Sequence, residues 1–387
     1  MTSSLQALPI DTVESAVPQL MALLDGTAPA WLPVPARDRR EAARLTKALA
    51  AGEPVDERVA LVVATSGSTG TPKGAMLTRE NLAASAAGTA ERLGGPGQWL
   101  LAMPPHHVAG VQVMLRSLAA GYPPVGLDVS GGFAPSGLAA GFAAMTAPRR
   151  YVSLVPTQLV KTLAEPAATA ALAQFDGVLI GGAACPPPVR EAALAAGIAM
   201  VRTYGMSETA GGCVYDGVPL PGVQLRLEGP DSRIVVGGPT VALGYRNAPH
   251  HPAFAEPGWF RTDDAGTLAG GALSVTGRLD EAISTGGLTV LPQVVEAVLA
   301  RVPGVAEVAV FAQPDERLGQ RVACAVVPAP GTDGDALTVD LLRAAVEAEL
   351  DRTAAPRAVY LVDELPRRGP GKVDRRAVAA QVTNIHS

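Results

Sequence analysis

The sequence predicts an α/β fold: a large N-terminal domain of sheets packed with helices plus a β-rich subdomain, followed by a small α+β C-terminal domain. Three observations lead there. Up to the segment YGMSETA, short apolar runs alternate with helix-length segments, the pattern of βα units around a buried sheet. From 214 to 275 the texture changes to strand-like pieces separated by Gly, Pro and Asp. After GRLDEAISTGG comes a tail of roughly 100 residues, a usual size for an independent unit. At 387 residues the chain can bury a substantial core in both parts.

In order, RVALVVAT reads as a strand and TRENLAASAAGTAERL as a helix beginning near Arg79, with Thr78 as its cap and Asn81 in its first turn. RRYVSLV is a further strand, and PTQLVKTLAEPAATAALAQF the helical segment after it. GVLIGG and IAMVRTY are strands on either side of the helix PPPVREAALAAG. GVQLRLEG, SRIVVGG and GALSVTG make up the β-rich subdomain. In the tail, a helix over 292–301 precedes the strands VAEVAVFAQ and QRVACAVVP, the helix VDLLRAAVEAEL, the strand AVYLVD and a basic loop. These elements divide the chain into an N-terminal domain, 1–279, and a C-terminal domain, 280–387.

Composition narrows the function classes. Hydrophobic residues make up 48% and charged residues 17%, which excludes a disordered chain. A net charge of −5 gives no general attraction to nucleic acid. Cys185, Cys213 and Cys324 are odd in number and lack CxxC spacing, so neither a disulfide framework nor a zinc site is expected. The start MTSSLQALPIDTVESAV lacks the basic-then-apolar order of a signal peptide, and no run reaches the roughly 18 apolar residues of a membrane span. The expectation is a cytoplasmic protein with neither membrane insertion nor a nucleic-acid partner.

Residues 63–77, VATSGSTGTPKGAML, are the first chemical candidate. Gly67 and Gly70 let backbone N–H groups approach an anion, the hydroxyls of Thr65, Ser66, Ser68 and Thr69 add donors, and Lys73 supplies a full positive charge. The Walker pattern GxxxxGK[ST] is absent, because Pro72 precedes Lys73 and Gly74 follows it. A pliable surface loop leading to a helix start is the other reading of this composition. YGMSETA, 204–210, presents an aromatic ring and a carboxylate near a strand end, where open α/β sheets place ligands. Tyr204 suits stacking on a base and Glu208 suits oxygen ligation of magnesium, unless both are structural. In WFRTDDAG and GRLD the acids can accept from ribose hydroxyls and Arg278 can reach a hydroxyl or phosphate; ordinary turn chemistry is the alternative. RRGPGKVDRR, 367–376, carries Lys372 on a pliable basic segment, or is a solvated charge run.

In this order these segments, with PPHHVAG, LIGGAAC, GGPTVALGYRN and GRLDEAISTGG, resemble the signature motifs of the adenylate-forming superfamily of acyl- and aryl-CoA synthetases, luciferases and adenylation domains. The resemblance runs from Ala60 to Val378. It implies a mobile C-terminal domain hinged at Asp280, and chemistry on ATP. Thr65, Ser66, Gly67, Ser68, Thr69, Gly70 and Lys73 would hold the β- and γ-phosphates. Tyr204, Gly205, Met206 and Ser207 would face the adenine end, with the backbone of Gly181 and Gly182 against the base. Glu208 would hold magnesium, Asp264 the ribose with Arg278 beside it, and Lys372 would bridge the α-phosphate and the acyl carboxylate. His107 would border the acyl group; His106 stands where relatives often have an aromatic.

RLGGPGQWLLAMPPHHVAG, SLVPTQLVKTL, VRTYGMSETAGGCVYDGVPLPGV and DEAISTGGLTVLPQ are similar to the o-succinylbenzoate–CoA ligase subgroup of menaquinone biosynthesis, its short actinobacterial members in particular. This implies an AMP-forming acid–thiol ligase that uses ATP, Mg²⁺ and coenzyme A to convert 2-succinylbenzoate to its CoA thioester through an acyl-adenylate. The partners would be that small carboxylate and coenzyme A, with a homodimer left open. His107, Arg202 and Ser207 are candidates to face the acid, and a salt-bridged strand residue is the alternative for Arg202. A ligase for another aryl or acyl acid, an adenylation enzyme loading a carrier-protein thiol, and a non-catalytic nucleotide-binding protein stay open. Three features depart from the family pattern. The phosphate loop begins near residue 65, earlier than in most relatives, which implies a trimmed N-terminal subdomain; Asp263 replaces the glycine of Thr-Gly-Asp; and Ser284 stands where many relatives have lysine.

Overall fold

The computed structural model describes residues 3–65, 71–368 and 372–385. They fall into two compact units, one of Met1–Arg226, Val235–Thr262 and Ala269–Leu273, the other of Leu227–Ile234, Asp263–Leu268 and Ser274–Ser387.

The first unit begins with β1 (Ser3–Ile10), α1 (Val13–Asp25), β2 (Ala30–Pro35), α2 (Arg39–Ala48), β3 (Pro54–Val55), β4 (Val59–Thr65) and β5 (Lys73–Thr78). Its strands form a sheet of order β3-β1-β2-β4-β5, with β1, β2 and β4 parallel. Leu5, Leu32 and Val62 from these strands pack with Leu45 of α2 and Leu49 just past it. β5 turns back antiparallel, with Lys73 opposite Thr65. A strand therefore stands where the sequence suggested a loop running straight to a helix. The alternation that buries Ala75 and Leu77 has the period of a strand, and it absorbs the residues after the loop. Only then does α3 (Arg79–Arg92) start, capped as expected: Thr78 Oγ1 accepts from Asn81 N at 3.1 Å, and Asn81 Oδ1 accepts from Thr78 N at 2.9 Å.

A second sheet follows from β6 (Gln98–Leu101), α4 (Val108–Ala119), β7 (Val125–Gly126), α5 (Gly137–Ala143) and β8 (Arg150–Leu154). It continues through α6 (Pro156–Leu163), α7 (Pro166–Leu172), β9 (Gly177–Ile180), α8 (Pro187–Ala195), β10 (Met200–Met206), β11 (Gly211–Tyr215) and β12 (Val218–Pro219). The order is β12-β11-β10-β9-β8-β6-β7. The run from β7 to β10 is parallel, and β11 and β12 close it antiparallel. Leu100, Val152, Val178 and Ile180 pack with Leu159 of α6, Leu172 of α7 and Phe175. The segment after β8 is two helices, because Pro166 has no N–H to continue the first and holds Glu165 extended at φ −119°, ψ 106°.

β13 (Gln224–Glu228), β14 (Arg233–Gly237), β15 (Trp259–Ala269) and β16 (Ala272–Arg278) form a four-stranded sheet in that order, where the β-rich region was expected. The tail contains β17 (Ile283–Thr285), β18 (Leu288–Val290), α9 (Pro292–Leu299), β19 (Val305–Asp315), β20 (Gly319–Pro328) and α10 (Val339–Glu347). It ends in β21 (Ala358–Leu361), β22 (Arg367–Arg368), β23 (Lys372–Val373) and α11 (Arg375–Ile385). The sheet order is β18-β17-β20-β19, with β21 beside β20. Strand alternation sorts its two faces. Val310, Val322, Cys324 and Val326 pack with Val295 of α9 and Leu342 of α10, while Ala309, Phe311, Ala323 and Ala325 meet Val378 and Val382 of α11. Each such fully buried Val or Leu contributes about 1.5–3 kcal/mol, so both faces are firmly covered.

Candidate active site

Ser66, Gly67, Ser68, Thr69 and Gly70 lie outside the described residues. Thr65 and Lys73 pair at the base of the β4–β5 hairpin. The stretch after Val241 runs along β5: Leu243 N donates to Met76 O at 2.9 Å, Met76 N to Gly244 O at 3.0 Å, and Arg246 N to Gly74 O at 2.7 Å. Asn247 then spans Lys73, its Nδ2 donating to Pro72 O at 2.9 Å and its Oδ1 accepting from Gly74 N at 3.3 Å. The lysine backbone is thereby fixed from both sides. Its Nζ lies 4.7 Å from the Tyr245 ring centroid and 3.3 Å from His251 Nε2.

Tyr245 joins this cation to the acid of YGMSETA. Its hydroxyl donates to Glu208 Oε1 at 2.6 Å, and both side chains are buried. Glu208 sits in the turn Ser207–Thr209, which Thr209 Oγ1 stabilises by accepting from Met206 N at 3.0 Å. The next residue, Ala210, takes the left-handed conformation at φ 52°, and its carbonyl accepts from Ser85 Oγ at 3.0 Å and Gln112 Nε2 at 2.8 Å. A side chain at Gly205 would place its Cβ 2.1 Å from Gly211 O, so the motif needs glycine there. At Gly181 the Cβ would lie 2.3 Å from Thr203 Oγ1, so β9 and β10 leave the sheet in close contact. Gly181 and Gly182 follow β9, whose last residue Ile180 pairs with Arg202 of β10. They therefore emerge with the half-buried Tyr204, Met206 and Ser207 at the carboxyl edge of the parallel strands, the usual ligand position in such sheets.

Among the described residues no group of three or more His, Cys, Asp and Glu could hold a metal alone. A single buried carboxylate suits magnesium that arrives with phosphates, since this ion commonly takes one or two protein carboxylates and completes its shell from substrate and water. Glu208 fits that donor set.

His107 caps α4, and its ring lies 4.4 Å from that of His106. Burial first, and then the charge of His107, push His106 down to about 4, against the pull of Glu41 and Asp38. Helix α4 is otherwise nearly all apolar, yet Arg116 on it is only 8% exposed. Its Nη2 donates to Ser85 Oγ at 3.2 Å, its guanidinium lies 5.4 Å from the Trp99 ring, and its Nε has no hydrogen-bond partner among the described residues. Ser85 in turn bonds the Ala210 carbonyl, two residues past Glu208. Nothing in the sequence singles out Arg116 except a lone cation in an apolar helix, with Gln112 four residues before it on the same face. Arg202 has the ion pair that was its alternative. Its Nε is 3.4 Å from Asp216 Oδ1, which also accepts the Arg202 backbone N–H at 3.1 Å, and Arg92 reaches the same carboxylate at 3.7 Å.

The remaining predicted residues belong to the second unit. Asp264 is 7% exposed, with Arg278 Nη1 at 3.4 Å. Arg278 also forks onto Asp280 with two bonds of 2.8 Å. Burial works against its charge, but the carboxylates of Asp280 and Asp264 outweigh that and hold its pKa above the usual value. Gln293 accepts from Arg278 N at 3.2 Å and donates to Glu281 Oε2 at 2.7 Å. Glu281 then meets Arg375 Nη1 at 2.5 Å, and Arg375 Nη2 bonds both oxygens of Glu296 at 2.8 and 2.7 Å. Asp263, the departure from Thr-Gly-Asp, forms an exposed pair with Arg233 at 3.1 Å. Ser284 is exposed, its N–H bonded to Gln320 Oε1 at 2.9 Å. Lys372 is exposed on the short ribbon that pairs it with Arg368.

Two family models match the chain: an AMP-binding enzyme model over residues 3–246 and an AMP-binding enzyme C-terminal domain model over 294–372. A Mycobacterium tuberculosis protein named probable 2-succinylbenzoate–CoA ligase is 55% identical over 94% of each chain. A Geobacillus 2-succinylbenzoate–CoA ligase is 35% identical over 84% of this chain and 70% of that protein. Among solved structures, wild-type E. coli MenE with a bound phenylether-linked analogue of OSB-AMS superposes at a TM-score of 0.76. It has 25% identity, and 99% of this chain and 89% of that one are covered.

Proposed function

The chain belongs to the AMP-binding enzyme family, and on that premise we propose that it is an AMP-forming ligase joining 2-succinylbenzoate to coenzyme A. The observation that carries the reading is the convergence of Lys73 and Glu208 on Tyr245, a cation and a buried acid held beside the carboxyl edge of a parallel sheet. The likeness in sequence to the 2-succinylbenzoate–CoA ligases supports the choice of acid.

A carboxylate is a poor acceptor for a thiol, so it first attacks the α-phosphorus of ATP. The P–O bond to pyrophosphate breaks, and the acyl-adenylate that forms carries AMP as a good leaving group for the thiol. Two anions must be brought together for this, which calls for fixed positive groups at the developing charge. Lys73 meets the outer phosphates, Gly181, Gly182 and Tyr204 to Ser207 the adenine end, and Asp264 with Arg278 the ribose. Lys372 bridges the α-phosphate and the attacking carboxylate. Magnesium, which Glu208 would hold, supplies charge neutralisation on the phosphates when bound. The functional division of the chain lies at Asp280, about which the C-terminal domain withdraws Lys372 for the thiol step. ATP and coenzyme A as co-substrates fit a cytoplasmic setting; among the described residues no helix is long and apolar enough to cross a membrane.

2-Succinylbenzoate keeps a second carboxylate on its ring, and a buried anion needs a donor. Arg116 answers that need better than Arg202, because its Nε is buried with no hydrogen-bond partner among the described residues while Arg202 is already paired with Asp216. His107 stands at the start of the same helix, and the reading assigns it to the border of the acyl chain. Pyrophosphate release over a panel of 2-succinylbenzoate, benzoate and a fatty acid, with and without coenzyme A, tests the assignment. Activity confined to 2-succinylbenzoate, with kcat/KM about 10–100-fold lower in Arg116→Met, is the expected result. Turnover of benzoate or fatty acid without 2-succinylbenzoate would remove the substrate assignment.

A further inference from the structure

The turn that carries Glu208 is held from two sides. On one, the stretch after Val241 grips the residue itself: Ala242 N donates to Glu208 O at 2.9 Å, and the Tyr245 hydroxyl to Glu208 Oε1. On the other, α3 and α4 grip the turn two residues later, at Ala210. There the chain reverses from β10 into β11 through two consecutive left-handed residues, Ala210 at φ 52° and Gly211 at φ 92°. Glycine takes that conformation freely, whereas the Cβ of alanine crowds the backbone in it. The Ala210 carbonyl accepts from two buried side chains, Ser85 Oγ at 3.0 Å and Gln112 Nε2 at 2.8 Å. Chemistry settles the direction of both bonds. Arg116 Nη2 can only donate, so Ser85 Oγ accepts from it at 3.2 Å and turns its own hydrogen to Ala210. The Gln112 amide faces Ala210 with its N–H, which leaves its Oε1 buried and without a hydrogen-bond partner among the described residues, a cost that an apolar packing residue would not incur.

We propose that Ser85 and Gln112 are positioning residues for Glu208: by holding the Ala210 carbonyl they keep the left-handed turn closed and so fix where the carboxylate points. This rests on the reading given above, in which Glu208 serves magnesium. Only Thr209 separates the acid from Ala210, so relaxation of Ala210 to its preferred backbone region would swing the chain beside the acid. Tyr204 and Gly205 are held separately, by their pairing with Val214 and Gly212. Loss of the two donors therefore falls on the acid and spares the adenine end.

The test titrates ATP with excess magnesium and, separately, AMP without metal into the whole protein by calorimetry, with the urea midpoint as a check on folding. Ser85→Ala with Gln112→Leu removes both donors, Gln112→Leu alone removes one, and Glu208→Gln sets the floor. The double variant is expected to weaken magnesium–ATP binding about tenfold or more, the usual effect of removing the partners that orient a metal-holding group, and to leave AMP nearly unchanged. Gln112→Leu alone should fall between it and the wild type. Adding Ala210→Gly to the double variant should recover much of the loss, because glycine keeps the left-handed turn without the two bonds. Wild-type magnesium–ATP affinity in the variants, an equal loss of AMP, or no recovery with glycine would each overturn the assignment. The proposal and the ligase reading fail separately. A protein that binds magnesium–ATP through Glu208 yet releases no pyrophosphate with any carboxylate defeats the ligase and leaves the positioning role standing. A Glu208→Gln variant that binds magnesium–ATP as the wild type does ends the positioning role and leaves the ligase to the carboxylate panel.

Discussion

Adjacent histidines at 106 and 107 look alike in sequence, and folding separates them. His107 stands at the N-cap position of a helix, whereas His106 is held down to about 4 by burial first and then by the charge beside it. In the unfolded chain His106 takes its proton near 6.5, so between about 6.5 and 4 the unfolded state binds more protons than the folded one. Stability is therefore fully present above 6.5 and is lost as pH falls towards 4, by about 3 kcal/mol for this one group. Urea unfolding of His106→Gln between pH 7 and pH 4 should show a smaller fall than the wild type; parallel curves would contradict the assignment. The four motif residues Lys73, Glu208, Asp264 and Lys372 were legible in the sequence. Their partners were not. Lys73 and His251 are 178 positions apart, and only a folded chain brings them to 3.3 Å. Arg116 was hidden for another reason: what marks it is burial, with an Nε that has no hydrogen-bond partner among the described residues, which no spacing reveals.

Elements were legible where one physical signal dominated. The near-continuous apolar runs in VAEVAVFAQ and QRVACAVVP fit two strands buried on both faces, and both faces are covered by helices. The strand Lys73–Thr78 was obscured because a Gly- and Pro-rich loop precedes it and a strong helix cap ends it. Helix α11 shows what side chains add beyond pattern. Its first residue, Arg375, lies between the carboxylates of Glu281 and Glu296 with every group mostly buried. Arg375→Met would leave two acids facing one another without a cation, and removing one partner of a buried pair costs about 3–5 kcal/mol. The expected outcome is a large drop in the urea midpoint. Glu281→Gln, which preserves the Glu296 fork, should lose much less, and equal losses in the two variants would show that the cluster is not held together by charge.

At the scale of the whole molecule the predicted residues divide between two compact units, with Lys73 and Glu208 in the first and Asp264, Arg278, Asp280 and Lys372 in the second. The division of labour proposed for the reaction follows. Lys372→Ala should lower pyrophosphate release by about 10²–10³, the usual cost of removing one fixed charge at a transition state. It should leave thioester formation from supplied acyl-adenylate nearly intact, and comparable loss of both half-reactions would end the proposed alternation. Such an alternation asks something particular of the second unit. Glu281, next to the pivot residue, and Arg375, three residues beyond Lys372, are gripped in one ion cluster. The residue beside the proposed pivot and the helix that follows the lysine are thus tied through one set of charges. If the chain turns at residue 280 as proposed, this cluster would carry the turn towards Lys372, so loosening it would blur when the lysine arrives before it changed what the lysine does.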